Sequence, residues 1–421
     1  MLMLFGIIAF LTVNVPYWDD YGAIIGYFAH PMPERLNHLA DFNNEHRIVT
    51  ARLIFEAIYQ VLGHFDFQIC MAIGATFLLG YAMLFAHIFR RSSARGTILF
   101  LPCLWLLVSF IHYENLCWAM CAVSNIPVHF WALLASLALS RQTTVGHSFA
   151  IVCALLATFS AGGGMAIWPC LILFTIFQNR AVIRRAVWPL AALVVCASLA
   201  VSFYFTGFSS GASESCKRLD PVTRIFHMGL FFVSFVGGWI PSFWPALVIG
   251  ILTLAAICYF TVNLTRIRTP AVYFFLLYLL GNISAAALFR STDFTAAISF
   301  RYILVPVSVL TCVVLLAEET FLPKLEKRLF TSLWLVFFCG AMLYSCTFLA
   351  IGGPLFAKRN EIMRRNMLCW PQDVRGLRCP PEFYTENDRN LKTVSEAGIY
   401  NPHVIRHPNE TPPSKPISWL R

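Results

Sequence analysis

Two adjacent carboxylates follow the first apolar run of the chain, in the segment PYWDDYG at residues 16–22. Asp19 and Asp20 could each accept a proton from a hydroxyl group if the side chain lies within hydrogen-bond distance and has a suitable pKa. Adjacent side chains rarely point the same way, so we expect Asp19 to carry this role before Asp20. The structural alternative is a solvated pair that marks the end of a span, where charges cost little.

The same loop contains a second polar group in the segment FNNEHR, residues 42–47. Glu45, His46 and Arg47 offer a carboxylate, an imidazole and a guanidinium in sequence. Asn44 would suit the N-cap of a following helix and Glu45 its first turn, where the helix dipole favours a negative charge. That structural explanation accounts for Glu45 but leaves His46 and Arg47 as candidates for orienting a substrate.

A single acidic residue lies between two apolar segments in HYENLCWAM, where Glu114 and Trp118 have little room for a solvated loop. An isolated glutamate there is costly unless it faces a polar cavity or a partner. We expect its partner to be a cation of the first loop. A structural ion pair and a substrate contact both remain open for Glu114.

Cations occupy two later loops, CKRLDPVTR and LFRSTDFTAAISFRY. The candidates are Lys217, Arg218, Arg290 and Arg301, with Tyr302 beside the last. A guanidinium binds phosphate through two parallel hydrogen bonds and stays charged, so Arg290 and Arg301 would suit a lipid-linked phosphate at the membrane surface. Ordinary snorkelling of arginine side chains toward the headgroups is the alternative.

The elements that must position these residues are membrane helices. Of the 421 residues, 58% are hydrophobic and 12% charged, which indicates an all-α polytopic membrane protein. The formal charge of +10 is dispersed over short loops and does not indicate nucleic-acid binding. We predict about eleven transmembrane helices, at 1–15, 66–89, 97–112, 122–140, 148–161, 165–178, 186–206, 242–264, 271–288, 302–317 and 329–351.

The basic residues predict the orientation. The links after every second span are rich in Lys and Arg and poor in acids, which by the positive-inside rule puts them and the N-terminus in the cytoplasm. The first outer loop, 16–65, then contains an amphipathic helix at 45–63 that lies in the interface. We assign residues 226–240 to the outer face and three glycines, 162–164, to a tight turn or a close backbone approach.

Two regions follow from this pattern, a transmembrane domain at 1–352 and a short outer tail at 353–421. The tail is polar and rich in proline toward its end. We expect a short helix near 358–368, then a loop from Cys369 to Cys379, then extended chain docked on the outer loops. Cys369 and Cys379 could pair in an oxidising compartment.

The motifs WDD, NNEHR, ENLCW, GGGMAIWP and SFRY, with the acidic start of a long first outer loop, resemble the GT-C superfamily of membrane glycosyltransferases. The resemblance implies a sugar donor on polyprenyl phosphate and a glycan or lipid acceptor, with inversion at the anomeric carbon on the periplasmic face of a bacterial inner membrane. It assigns Asp19 or Asp20 as the base and Lys217, Arg218, Arg290 and Arg301 to the phosphate. The chain has no D-x-D sequence, so a divalent cation such as Mg²⁺ or Mn²⁺ stays open.

A transporter or flippase of lipid-linked sugars is the main alternative, since the same cations could hold phosphate without chemistry. It predicts polar residues along the spans, which here contain few beyond Asn125, Asn263 and Asn282. A polymerase or ligase of surface polysaccharide would concentrate arginine and histidine in a late outer loop. A purely structural membrane protein leaves the acids of the outer loops unexplained.

Overall fold

The computed structural model describes residues 11–92, 95–208, 220–322, 326–370 and 383–402, with Gly6, Ile8 and Leu377. The described chain is almost entirely helical, as the sequence predicts. Its longer helices are α3 (Phe67–Ser92), α4 (Gly96–Leu107), α6 (Ala119–Leu139), α7 (Thr144–Thr158), α8 (Ile167–Gln178), α9 (Val187–Phe205), α10 (Pro221–Val236), α11 (Phe243–Val262), α12 (Pro270–Arg290), α13 (Leu304–Thr320) and α14 (Lys327–Leu368).

The remaining elements lie in the loops between the long helices. They include a π-helix (Tyr21–Gly26), α1 (Glu34–Asn37), a hairpin of β1 (Phe42–Asn43) and β2 (His46–Arg47), α2 (Val49–Leu62), α5 (Tyr113–Leu116) and α15 (Tyr384–Glu396). Short 3₁₀ segments cover Phe110–His112, Gly162–Ala166, Ile183–Ala186, Leu264–Arg266, Phe294–Ile298 and Phe300–Tyr302.

Seven helices of the described chain are long and apolar enough to cross a membrane: Phe67–Ser92, Gly96–Leu116, Ala119–Leu139, Val187–Phe205, Phe243–Val262, Pro270–Arg290 and Arg328–Leu368. Three shorter apolar helices are Thr144–Thr158, Gly162–Gln178 and Pro221–Val236. The protein is therefore a multi-pass helical membrane protein. Most of the predicted first span, 1–15, lies outside the described residues.

Close helix packing forms the centre of the bundle. Helices α3 and α6 approach so closely at Gly74 that a Cβ there would lie 2.5 Å from the Cβ of Ala122. Small residues at such crossings bring backbones together where lipid provides no hydrophobic drive for association. The same pair of helices carries Tyr81, which is fully buried and donates to Ser308 of α13 over 2.8 Å.

The interfacial helix is shorter than predicted and turned differently. It begins at Val49, because residues 42–47 form the hairpin, with Asn44 at a φ of 52° in its turn. Asn44 is thus no N-cap, and Glu45 is not in a first helical turn. Arg52 and Glu56, which lie opposite the apolar positions of this helix, are 4% and 8% exposed, whereas the apolar Leu53 and Val61 are exposed.

The C-terminal part also differs from the prediction. Helix α14 runs without interruption through the predicted boundary at residue 352 and includes the expected helix at 358–368. The next described segment is helix α15, docked on the π-helix, where we expected extended chain. Cys369 is buried, while Cys379 lies outside the described residues, as does the predicted pairing.

Segment 226–240 is largely helix α10, whose last turns are buried against α11 and α12. Its first turn is exposed, with Asp220 as N-cap and Pro221 at the first helical position. A short apolar helix packed in this way is compatible with a position inside the membrane and with one at its surface. The assignment of 226–240 to the outer face therefore stays a prediction.

The loops meet at two ends of the bundle. At one end, the side chain of Glu319 accepts hydrogen bonds from the backbone of Arg268 and Thr269, and Trp334 donates to the carbonyl of Ile98. Arg268, Thr269 and Glu319 belong to links that the basic pattern assigns to one side of the membrane, and Ile98 and Trp334 lie in helices near the ends that adjoin such links. The loops that carry the candidate residues meet at the other end, so the structure keeps the two groups of links apart.

Candidate functional site

The hairpin at residues 42–47 attaches the first loop to the other loops at the end of the bundle where the candidate residues lie. A Cβ on Gly162 would lie 2.9 Å from Nδ1 of His46, and one on Gly163 would lie 2.0 Å from Oδ1 of Asn282. The glycine run therefore permits a close approach of side chains from β2 and α12 to the backbone between α7 and α8. Of the two predicted roles, a tight turn or a close backbone approach, the structure shows the close approach.

Arg47 holds the hairpin in place. The side chain is 8% exposed, and its Nε donates to the carbonyl of Tyr204 over 2.9 Å. Its other nitrogens donate to the carbonyls of Ala40 and Thr206, and the guanidinium lies 4.1 Å from the centre of the Phe42 ring. Arg47, predicted to contact substrate, has its donors engaged by backbone carbonyls and anchors the hairpin.

The two aspartates have different environments. Asp20 is fully buried, and its carboxylate accepts the backbone N–H of Met120 at the start of α6 over 2.8 Å and that of Tyr17 over 3.1 Å. Burial raises the pKa of Asp20 to about 8, against the opposing effect of those N–H groups. Asp20 therefore caps a helix, and Asp19 alone of the pair is partly exposed.

The raised pKa of Asp20 makes the stability of the folded protein depend on pH. Its ordinary pKa is 3.8 and the folded value is about 8, so the folded state binds the proton more tightly. The resulting stabilisation is complete below about pH 4 and is lost as the pH rises through 8. We expect the melting temperature of the wild-type protein in detergent to fall across this range, and Asp20→Asn to remove this component of the slope.

Thermal unfolding followed by intrinsic tryptophan fluorescence measures that slope. Glu34→Gln is a matched control because Glu34 is an exposed carboxylate of the same loop, and its slope should equal that of the wild type. An unchanged slope in Asp20→Asn would contradict the assignment.

Two arginines meet at the ring of Tyr302, and the charge of Asp19 acts on one of them. Arg290, at the end of α12, donates to the hydroxyl of Tyr302, and the guanidinium of Arg301 lies 4.9 Å from the centre of the same ring. The two guanidiniums repel each other, and the charges of Glu45 and Asp19 act attractively on Arg290. Within the described residues neither arginine makes an ion pair, and the buried Nε of Arg301 has no hydrogen-bond partner.

His46 adds a neutral group to this cluster. Burial, together with the positive charge of Arg290, lowers the pKa of His46 to about 4. At neutral pH the imidazole is therefore uncharged. Its buried Nδ1 has no hydrogen-bond partner among the described residues, so a ligand could meet this ring as a hydrogen-bond donor or acceptor.

Glu114 does not have the predicted partner. Its Oε1 accepts from the hydroxyl of Tyr113 over 3.3 Å, and no ion pair to it occurs within the described part of the chain. The first-loop arginines are occupied elsewhere, as Arg47 illustrates. Trp118 is 8% exposed and packs edge-on against Tyr17 with ring centres 5.3 Å apart.

Sequence reasoning missed Arg359. It lies on α14 with its guanidinium 4.3 Å from the centre of the Phe356 ring and 5.0 Å from that of Tyr17, two residues before Asp19. Its buried Nε has no partner among the described residues. The sequence signal is the pair Lys358–Arg359 directly after an apolar run, which the composition alone does not distinguish from the beginning of a polar tail.

Arg359 stands at one end of a long apolar groove with a volume of about 720 Å³. One wall is the face of α14 from Gly340 to Arg359, a rise of about 28 Å at 1.5 Å per residue. The opposite wall contains Phe110, Tyr113 and Phe300. Tyr113 and Phe300 directly precede Glu114 and Arg301, so the charged end of the groove adjoins the candidate site.

The site thus unites Asp19, Glu45, His46, Arg290, Arg301 and Tyr302, with Glu114, Trp118 and Arg359 at its edge. Lys217 and Arg218 lie outside the described residues. No group of three or more His, Cys, Asp or Glu side chains in the described ranges could hold a metal ion. Comparison with protein families, curated proteins and solved structures found no match to this chain or its structure.

Proposed function

We propose that the protein is a membrane glycosyltransferase that moves a sugar from a polyprenyl-phosphate donor to an acceptor hydroxyl. The observation that carries the proposal is the Arg290–Arg301 pair, two adjacent guanidiniums without an ion-pair partner in the described chain and with carboxylates close by. Such a pair is complementary to a phosphate, and it can stabilise the charge that develops on a phosphate leaving group.

The carboxylate of Asp19 is our candidate for the base. The acceptor hydroxyl gives its proton to Asp19 while its oxygen forms a bond to the anomeric carbon of the sugar. The bond from that carbon to the phosphate oxygen breaks, and the electron pair stays with the phosphate. Attack opposite the leaving group inverts the anomeric carbon. Arg290 and Arg301 receive the phosphate, and Glu45 and neutral His46 orient the sugar.

The apolar groove supports a lipid-linked donor. A span of about 28 Å is comparable to the ~30 Å hydrocarbon core, so a polyprenyl chain lying along α14 would remain at membrane depth. Its phosphate would then emerge beside Arg359 and the Arg290–Arg301 pair. The proposal also includes eleven crossings, with the site on the periplasmic side of a bacterial inner membrane and the N-terminus in the cytoplasm.

Transfer of radiolabelled sugar from a panel of polyprenyl-phosphate sugars tests the function directly. Purified wild-type protein should deliver label to an acceptor, or slowly to water, and the donor should be consumed. A donor that is left intact but crosses a liposome membrane would replace the enzyme with a transporter.

The groove leads to a separate prediction about the lipid. Ile351→Trp should fill the groove and raise the KM for a long-chain donor by about tenfold, because each buried methylene contributes about 0.8 kcal/mol. A donor with a truncated chain should show no change. Val336→Trp is the matched control, since Val336 is 73% exposed on the same helix and does not line the groove. Equal effects on both donors would refute a lipid site.

A further inference from the structure

A second cavity lies between the first loop and helix α15, with a volume of about 450 Å³. This size falls within the range of small-molecule sites. Its walls come from the π-helix, the loop before β1, helix α2 and the polar face of α15. None of the groups assigned to the candidate site lines it, so its polar residues have no role in the proposed chemistry.

The wall formed by the π-helix is bare backbone. Gly22 and Gly26 both line the cavity. A Cβ on Gly22 would meet its nearest atom, Oδ1 of Asn43, at 3.4 Å. One on Gly26 would meet the carbonyl oxygen of Tyr21 at 3.4 Å and Nδ2 of Asn390 at 3.6 Å, and all three are ordinary contact distances. Packing therefore does not require glycine at either position. The missing side chains instead keep the space open.

The opposite wall is a single polar face of α15. Glu386, Arg389, Asn390 and Thr393 recur at the spacing of one helix face, while Leu391 and Val394 are buried on another. A polar helix face that met only solvent would not border a cavity. Here the polar face of α15 and the polar loop before β1 line the same cavity.

Buried Arg52 organises the third wall. Its Nη1 donates to the carbonyls of His38, Leu39 and Asp41 at 2.9, 3.2 and 2.6 Å, which fixes the loop before β1. The residue is 4% exposed and lines the cavity, and its Nε has no partner among the described residues. A buried guanidinium with a free donor is costly unless a ligand or water satisfies it.

The charges of the lining decide the class of ligand. Two guanidiniums, of Arg52 and Arg389, are balanced by the carboxylates of Asp41 and Glu386. A phosphate site would have a positive excess and a cation site a negative one. Amide, hydroxyl and imidazole groups supply both donors and acceptors, as hydroxyl groups of a ligand require. The cavity suits a neutral molecule with many hydroxyl groups.

We propose that this cavity binds the carbohydrate part of the acceptor, and that helix α15 helps to select it. The inference rests on the proposed glycosyl transfer. Gly22 follows Asp19 by three residues, less than one helical turn, so a glycan in the cavity has one end next to the candidate base. The tail beyond α14 then contributes acceptor recognition, while the membrane groove contributes donor recognition.

Saturation-transfer NMR on the full-length protein in detergent tests binding without catalysis. The probes are neutral disaccharides built from glucose, galactose and N-acetylglucosamine, with inorganic phosphate as a competitor. We expect transfer to at least one disaccharide in the wild type, insensitive to phosphate. The signal should be lost in Gly26→Leu, and binding should weaken about tenfold in Arg389→Ala and Asn390→Ala.

The controls separate this proposal from the proposed function. Lys392→Ala alters an exposed cation of α15 outside the cavity and should bind like the wild type. Asp19→Asn should bind the disaccharide normally even though its transfer of sugar is severely slowed. No transfer to any disaccharide, unchanged binding in Gly26→Leu, or displacement by phosphate would each overturn the acceptor site. Binding that persists in a protein without transferase activity would refute the transfer chemistry alone.

Discussion

Asp19→Asn should lower the turnover of sugar transfer by roughly 10²- to 10⁴-fold, the usual contribution of a general base. The amide has the shape of the carboxylate but cannot accept the proton of the acceptor hydroxyl. Asp19 is partly exposed, so the substitution should leave folding intact. Initial rates with labelled donor, together with the KM for the donor, separate a loss of chemistry from a loss of binding.

Two variants sharpen this test. Glu34→Gln removes an exposed carboxylate of the same loop and should retain full activity. Glu45→Gln changes the other carboxylate whose charge acts on Arg290, and we expect a smaller loss in kcat than at Asp19. Full activity in Asp19→Asn with a large loss in Glu45→Gln would transfer the role of base to Glu45.

Arg290→Met should reduce kcat by roughly 10²- to 10³-fold, because a preorganised cation is then missing where charge develops on the leaving phosphate. Arg290→Lys keeps the charge but not the two parallel hydrogen bonds, so it should recover only part of the rate. Arg301→Met should behave similarly. The double variant should lose less than the product of the single effects, since both guanidiniums act on one group.

Donors with different leaving groups measure the same effect independently. A donor whose leaving group departs more readily should lose less on Arg290→Met, because it depends less on stabilisation of the departing charge. Arg266→Met, an exposed arginine at the opposite end of the bundle, is the control and should be silent. A rise in KM at unchanged kcat would show that Arg290 binds the donor equally in the ground state and the transition state and does not assist the chemical step.

The sequence predicted helices well where the period and hydrophobicity were strong. Spans such as 66–89 and 242–264 match α3 and α11 within a few residues. The first outer loop was harder, because the hairpin at 42–47 depends on contacts of Arg47 with Tyr204 and Thr206, more than 150 residues away. Local pattern therefore favoured a helix that begins too early.

Side-chain roles showed the same division. The sequence indicated Asp19 and Asp20 as a candidate pair and favoured Asp19. It could not reveal that Asp20 accepts a hydrogen bond from the backbone N–H of Met120, one hundred residues later in the chain. Nor could it distinguish Arg47, engaged by carbonyls, from Arg301, whose Nε is unpartnered. Both are arginines near aromatic residues in sequence. Arg359 was hidden because α14 continues without a break from the membrane into the tail.

The continuity of α14 has a mechanical meaning. A helix of 42 residues without a loop is about 63 Å long, and it joins Arg359 directly to the groove residues that precede it in the chain. A single inserted residue would raise that guanidinium by about 1.5 Å and swing it about 100° around the axis. In the proposed mechanism, the pitch of this helix therefore helps to set the depth at which a lipid headgroup would meet the candidate residues.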